Sequence, residues 1–376
     1  MIEQIVPQEN NLEFSDSGDT STVVEIPKEV RKINTQAYDK SVSDLVRMIE
    51  DKDIILDPDF QRNYVWDNKK ASLLIESIIL NVPIPVVYVS QSEDDTWTVI
   101  DGLQRLWSLK RFFDGKFKLT GLEILTELNK QDISSLNSKA LRMLKNGLLR
   151  VIMITNDSNE EIKYDVFMRL NTGSVHLTEQ ELRNCLYKGS LNRLLKDLTS
   201  NEQWLSLLGI SEPHKRMADR EMILRFFSLH QNWDSKLGVI TNYKGRMKNF
   251  LNDYMKQNQN VSQNIVIQHK ELFDSTVNKV VVVFGENAFR TLNESADQER
   301  SINRAVMDVI MVSLSEYELD ELLIKKYEIK KAFYDAIANN KTFKDSLLIA
   351  TSDTKALKNR FSIYRKIFIK NNNVIG

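Results

Sequence analysis

The sequence predicts an α+β fold: a small mixed-sheet domain followed by an all-helical domain. Three observations carry that expectation. The β-branched, apolar runs Val86-Val-Tyr-Val-Ser90, Trp97-Thr-Val-Ile100 and Leu148–Ile154 all fall in the first half of the chain. From about residue 178 onward, apolar residues recur at helical spacing and strand signals nearly vanish. The length of 376 residues corresponds to roughly two domains at about 150 residues each. The expected division is an arm over 1–27, a sheet domain over 28–177 and a helical domain over 178–376.

The arm, with Glu13-Phe-Ser-Asp-Ser-Gly-Asp-Thr-Ser-Thr22, has almost nothing to bury and is expected to be disordered. A first helix is expected near Ser41. There Ser41-x-x-Asp44 resembles a capping box, and Val42, Leu45, Val46 and Ile49 form one face. The extended stretch Ile54-Ile-Leu-Asp-Pro58 reads as a loop, because proline disfavours helix in the residue before it. Asp67 can cap a helix to about Leu80, striped by Ala71, Leu74, Ile75 and Ile78 and ended by Pro83 and Pro85. Two strands joined by a turn at Glu93-Asp-Asp95 follow, and Asp101-Gly102 breaks the second. Leu106, Leu109, Phe112 and Phe113 then mark a helix. Leu148–Ile154, apolar nearly throughout, predicts a strand buried on both faces. Glu160–Leu170 reads as a helix with Gly173 as its left-handed cap, and Thr178-x-x-Glu181 opens the next with a capping box.

Composition narrows the function. Lys and Arg number 51 against 52 Asp and Glu, a net charge of −1, so any nucleic-acid contact needs a local basic face. Lys139–Arg150, Lys215–Arg225 and Lys355–Lys370 are the basic stretches available, although solvated helix surface is the commoner meaning of such runs. The single cysteine, Cys185, excludes a disulfide framework and a thiolate zinc cluster. Neither a membrane-length apolar run nor a secretory leader is visible, so the cytoplasm is the expected location and no membrane partner is expected. Glycine-rich dinucleotide and P-loop signatures are absent, and His176, His214, His230 and His269 lack metal-ligand spacing.

Three segments are candidates for chemistry. Asp101-Gly-Leu-Gln-Arg105 follows a strand and opens a helix, whose N-terminus can hold a phosphate. Gly102 permits close backbone approach, Gln104 can donate a hydrogen bond, and Arg105 can grip phosphate oxygens. Asp101 could hold a metal-bound water or a ribose hydroxyl. The bland alternative is a strand-to-helix turn with Asp101 as cap and Arg105 in a surface ion pair, which the pentapeptide alone favours. Gln61-Arg-Asn-Tyr-Val-Trp66 could direct Gln61 and Arg62 at phosphate or base, or be a loop anchored by its two aromatics. In Phe167–Gly173, Arg169, Asn171 and Thr172 sit at a helix end. They line a site or, equally seriously, belong to a well-capped connection.

Four segments in order resemble one family: Asp59–Trp66, Glu76–Pro85, Val99–Leu106 and Phe167–Arg183. It is the N-terminal domain family of GmrSD-type modification-dependent restriction endonucleases, whose fold is similar to the ParB and sulfiredoxin nucleotide-binding domain. The resemblance covers about 35–190, and Asn303-Arg-Ala-Val-Met-Asp308 looks like a downstream element of longer members. It implies a nucleotide-binding, nucleotide-hydrolysing module of a DNA-restriction or anti-phage system. Asp101, Gln104 and Arg105 would be catalytic. Gly102, Gln61, Arg62, Arg169, Asn171 and Thr172 would bind the nucleoside triphosphate, and Asp101 would hold Mg2+. DNA is the expected partner, with a separate nuclease subunit or a homo-oligomer beside it. Leu103 stands where the family signature Asp-Gly-Gln-Gln-Arg has its first glutamine, so binding is a safer expectation than hydrolysis. The alternative is a non-catalytic DNA- or protein-binding module with a degenerate nucleotide pocket. No cysteine lies in the phosphate loop, which excludes sulfiredoxin chemistry. The scattered His214, His230 and His269 predict no HNH nuclease domain.

Overall fold

A computed structural model describes residues 12, 14, 33–56, 66–92, 94–158, 166, 178–291 and 301–372. The chain divides into two compact units, one of residues 24–177 and one of 178–376 together with 1–23.

The first unit is built on a five-stranded mixed sheet of order β1-β5-β3-β4-β2. It opens with β1 (Thr35–Ser41) and α1 (Val42–Glu50). Ser41 Oγ accepts from Asp44 N at 3.1 Å and starts the helix. The Asp44 carboxylate pairs with Lys40 and Arg47 at 3.9 and 3.2 Å. Ile54–Ile55, expected to be loop, is a short edge strand β2, lying parallel to β4 (Trp97–Asp101). α2 (Asn68–Ile79) begins where expected, with the Asp67 carboxylate accepting from Lys70 N at 2.7 Å. β3 (Val87–Gln91) runs antiparallel to β4 and parallel to β5 (Leu148–Ile154), so it lies at the centre of the sheet. α3 (Leu103–Phe113) follows β4, and α4 (Ser138–Asn146) precedes β5.

Two elements here left no clear mark in the sequence. β1 reads Thr-Gln-Ala-Tyr-Asp-Lys-Ser and is mostly exposed. It is a strand because all seven residues pair antiparallel with β5, from Thr35 opposite Ile154 to Ser41 opposite Leu148. α4 depends on the Asn137 cap, which accepts from Ala140 N at 2.9 Å. The expectation for β5 needs correcting. Leu149, Val151 and Met153 are buried, but Leu148 is 63% exposed and Arg150 lies at the surface. With a solvated antiparallel neighbour on one side, β5 buries alternate residues through its first half.

Glu76, at 5% exposure, ties this unit together. Its Oε1 accepts from Ile124 N at 2.9 Å and Leu125 N at 2.7 Å, and Oε2 from Glu123 N at 3.4 Å. One carboxylate therefore satisfies the backbone of a loop that has no strand partner.

The second unit is helical. Its elements are α5 (Glu179–Leu186), α6 (Ser190–Leu198), α7 (Glu202–Leu208), α8 (Ala218–Gln231), α9 (Met247–Gln257), α10 (Gln263–Phe284), α11 (Arg304–Leu314), α12 (Leu319–Asn339), α13 (Lys341–Leu348) and α14 (Thr354–Asn372). A hairpin of β6 (Trp233–Asp234) and β7 (Val239–Ile240) interrupts them. The capping box foreseen at Thr178 is present with both of its hydrogen bonds. Leu12 and Phe14, within the arm expected to be disordered, pack against this unit's core, and Phe14 forms a parallel bridge to Ile302.

α11 is buried on all sides from Ala305 to Leu314, as the central helix of a large core must be. Asn303 caps it, its Oδ1 accepting from Val306 N at 2.9 Å while Nδ2 donates to the Leu347 carbonyl at 2.8 Å. Asp308, fully buried on this helix, accepts a bidentate pair from Arg225 at 3.0 and 2.5 Å, and Arg360 Nη2 lies 3.5 Å away. Within the stretch Lys215–Arg225, Arg220 and Arg225 are buried and Lys215 and Arg216 reach the surface; Arg360 in the third basic stretch is buried as well. Lys139, Arg142 and Lys145 are exposed on one side of α4.

Three histidines of this unit respond to pH in one direction. Burial holds His214, His230 and His269 below the ordinary imidazole value. Arg216 adds to this at His214 and His269 at His230, while a bond to the Ile265 carbonyl opposes it at His269. The unfolded chain therefore takes up protons first as pH falls through about 6.5. Stability should drop between pH 7 and pH 5.5, read as a lower urea midpoint in that window. A midpoint that rises on acidification would contradict it.

Candidate functional site at the start of helix α3

β4 ends at Asp101 and α3 begins at Leu103, so the turn between them is a single residue, Gly102. Its φ is +99°, and an added Cβ would stand 3.0 Å from Val87 Cγ2 and 3.2 Å from Arg105 Nη2. Left-handed backbone costs an L-residue about 1–2 kcal/mol. Gly102→Ala should therefore lower the stability of this unit by about 2 kcal/mol once the contact with the rigid, buried Val87 is included. Thermal unfolding of the purified variant measures it, and an unchanged midpoint would refute it.

Asp101 is not the helix cap, because Gly102 holds that position with no side-chain cap bond. Asp101 Oδ2 instead accepts from Arg105 Nη2 at 2.8 Å, one helical turn on. Arg105 is 8% exposed and also donates from Nη1 to the Pro85 carbonyl. Burial lowers the Arg105 guanidinium from its ordinary value, and Asp101 pulls it back up. Arg105 is thus neither the surface ion pair of the bland alternative nor a side chain reaching outward. It braces the turn between β4, α3 and the proline segment. Asp101 Oδ1 has no hydrogen-bond partner among the described residues, and the side chain is 31% exposed.

Gln104 Oε1 accepts from Trp66 N at 3.4 Å, which brings the end of the second candidate segment against α3. Lys70 Nζ lies 4.7 Å from the Trp66 ring centroid, a cation stacked on the aromatic face. The Pro85 carbonyl and Lys70 were not foreseen as parts of this neighbourhood. Neither carries a local sequence signal, since a fold contact brings each of them in. Gln61 and Arg62 lie outside the described residues, as do Arg169, Asn171 and Thr172. Leu103 packs against the hydrophobic core, so the position where the family signature has a glutamine faces inward here.

The first turn of α3 directs backbone N–H groups that no intrahelical carbonyl can satisfy. The partly exposed Asp101 immediately precedes the glycine turn. That set suits an anionic group, with or without a hard cation held by Asp101 and the anion together. Among the described residues no three His, Cys, Asp or Glu side chains cluster as a metal-binding group.

A strand, a one-residue left-handed glycine turn and a helix N-terminus, set on a five-stranded mixed sheet, make this an α+β domain with a strand-to-helix corner at Gly102. Residues 42–188 match the family model for the GmrSD restriction endonuclease, N-terminal domain, and this segment is similar to that family. The search of curated proteins and that of solved structures gave no match. No helix among the described residues is long and apolar enough to cross a membrane.

Proposed function

We propose that the first unit binds a nucleoside triphosphate at the start of α3, as a module of a DNA-restriction or anti-phage system. The observation that carries this reading is the β4–Gly102–α3 corner within a segment similar to the GmrSD family. The phosphates lie on the N–H groups of the first turn, which the left-handed backbone of Gly102 sets directly after β4. Gln104 orients the γ-phosphate side, and Asp101 would hold Mg2+. Magnesium, when bound, supplies charge stabilisation for phosphoryl transfer. Gln61, Arg62, Arg169, Asn171 and Thr172 provide the remaining walls. Arg105 holds the turn in shape, so its loss weakens the site by distortion.

Binding of labelled triphosphates to the full chain tests this. ATP or GTP should bind, and Gly102→Ala or Gln104→Ala should weaken binding at least tenfold. The absence of binding to any triphosphate, or binding unchanged in both variants, would defeat the reading. The packing of Leu103 into the core and the engagement of Arg105 by Asp101 favour a second reading, binding without turnover. Sustained phosphate release that disappears in Asp101→Ala would eliminate it.

DNA contact fits the exposed Lys139, Arg142 and Lys145 face of α4. Charge reversal of all three should weaken duplex binding and flatten its salt dependence. Unchanged affinity in an electrophoretic shift assay would remove α4 as the contact. A separate nuclease subunit or a second copy of the chain would complete such a system.

A further inference from the structure

The helical unit contains a cavity of about 460 Å³, within the roughly 300–1,000 Å³ typical of sites for small organic ligands. Arg183, Arg216, Arg225, Lys248 and Arg304 line it, against the carboxylates of Glu179 and Glu221. Arg183 is fully buried and anchors the wall. It donates to Glu179 at 3.1 Å, Glu221 at 2.9 Å, Gln180 Oε1 at 3.2 Å and Asn252 at 2.8 Å. Arg216 is held from behind by Glu181, and Arg225 by Asp308. Lys248 and Arg304 are partly exposed, and the Arg304 guanidinium stacks 4.6 Å from the centroid of the Phe14 ring.

Two further observations point to a ligand. Gln180 lines the same cavity and is 1% exposed, yet its Nε2 has no hydrogen-bond partner among the described residues. A buried amide donor left unmet costs about 1–3 kcal/mol, so it calls for an acceptor. The electrostatics also converge. Burial pushes Glu221 up, but Arg183, Arg225 and Arg304 together hold it below the ordinary carboxylate value. Glu179 on the same wall is instead raised, mainly by burial, so the excess of positive charge is felt at Glu221. Bare phosphate would fill only a corner of the space and would meet Glu179 and Glu221 as well as the cations. A ligand with phosphate at one end and hydroxyl donors at the other suits both.

We propose that this cavity is a second binding site, for a small phosphate-bearing ligand of the nucleotide class, built from residues other than those of the corner at α3. Lys248 and Arg304 meet the phosphates, Glu179 and Glu221 accept from sugar hydroxyls, and Gln180 donates to the base or a sugar oxygen. The Arg304–Phe14 stack forms one flank.

Isothermal titration of the full chain with ATP, GTP, their nucleosides and inorganic tripolyphosphate at low salt tests it. A triphosphate should still bind when Asp101 and Gln104 are both alanine. Lys248→Ala and, separately, Arg304→Gln should each weaken that residual binding at least tenfold, with circular dichroism melts confirming folded protein. If Arg304→Gln unfolds the unit, the surface variant Lys248→Ala carries the test. Nucleosides should not bind, and tripolyphosphate should bind more weakly than the nucleotides. The proposal is overturned if neither triphosphate binds, or if binding vanishes with Asp101 and Gln104. It is equally overturned if binding is unchanged in Lys248→Ala, or if nucleosides or tripolyphosphate bind as tightly as nucleotides. Binding lost only in the Lys248 and Arg304 variants would leave this site standing while removing the α3 reading.

Discussion

Asp308→Ala is expected to lower the stability of the helical unit by about 3–5 kcal/mol, the usual consequence of removing one partner from a buried ion pair. Asp308 is fully buried on a helix that, Ser313 apart, is otherwise apolar from Ala305 to Leu314. It faces Arg225 at 2.5 Å and Arg360 at 3.5 Å, both almost wholly withdrawn from water. Arg360 keeps other partners, the carbonyls of Ser346 at 3.1 Å and Thr351 at 2.8 Å, so part of its charge stays solvated by dipoles. Arg225 loses its bidentate acceptor outright. Asp308→Asn keeps the shape and one acceptor oxygen but not the charge, and should cost less than alanine. Urea denaturation followed by hydrogen exchange measures this unit by unit. A loss below about 1 kcal/mol in Asp308→Ala would show that water reaches the pair.

Glu76→Ala should destabilise the sheet unit by about 2–4 kcal/mol, since hydrogen bonds to a charged acceptor contribute about 1.5–3 kcal/mol and buried donors left unmet add to the loss. The three N–H groups of Glu123, Ile124 and Leu125 all depend on this one side chain. Glu76→Gln should fall between wild type and alanine, because one amide oxygen can still accept from two of them. Hydrogen exchange should accelerate at residues 123–125 before the rest of the unit. Accelerated exchange across β3 and β5 with 123–125 still protected would contradict this assignment.

The sequence carried local structure well because caps and stripes are local. Asp67, Thr178 and the stripe of α2 sit where their chemistry placed them. The order of the sheet was not legible, because β1 has no apolar alternation and exists only through pairing with a strand more than a hundred residues away. The site was partly legible. Asp101-Gly102 does break the strand, but the letters could not show that Arg105 turns inward to Pro85 and Asp101. The same limit hid the cavity of the helical unit. Arg183 and Asn303–Asp308 each drew notice as ends of separate motifs, and only packing brings Arg183, Arg225 and Arg304 around Glu221. Basic runs misled in the opposite direction, since charge on a sequence does not say whether an arginine is solvated or is the counter-ion of a buried aspartate.

The segment matched by the family ends at residue 188, whereas the compact sheet unit ends at 177. The eleven residues between them include Glu179–Leu186, whose Leu182, Arg183 and Cys185 are buried in the other unit. The stretch that the family model matches is therefore not the stretch that folds as one unit. A cut at residue 188 would carry away a helix without Glu221, which neutralises its Arg183, and without Asn252, which accepts from it. The two halves of this chain should accordingly travel together through genomes, and grafts that respect the fold would have to join at 177.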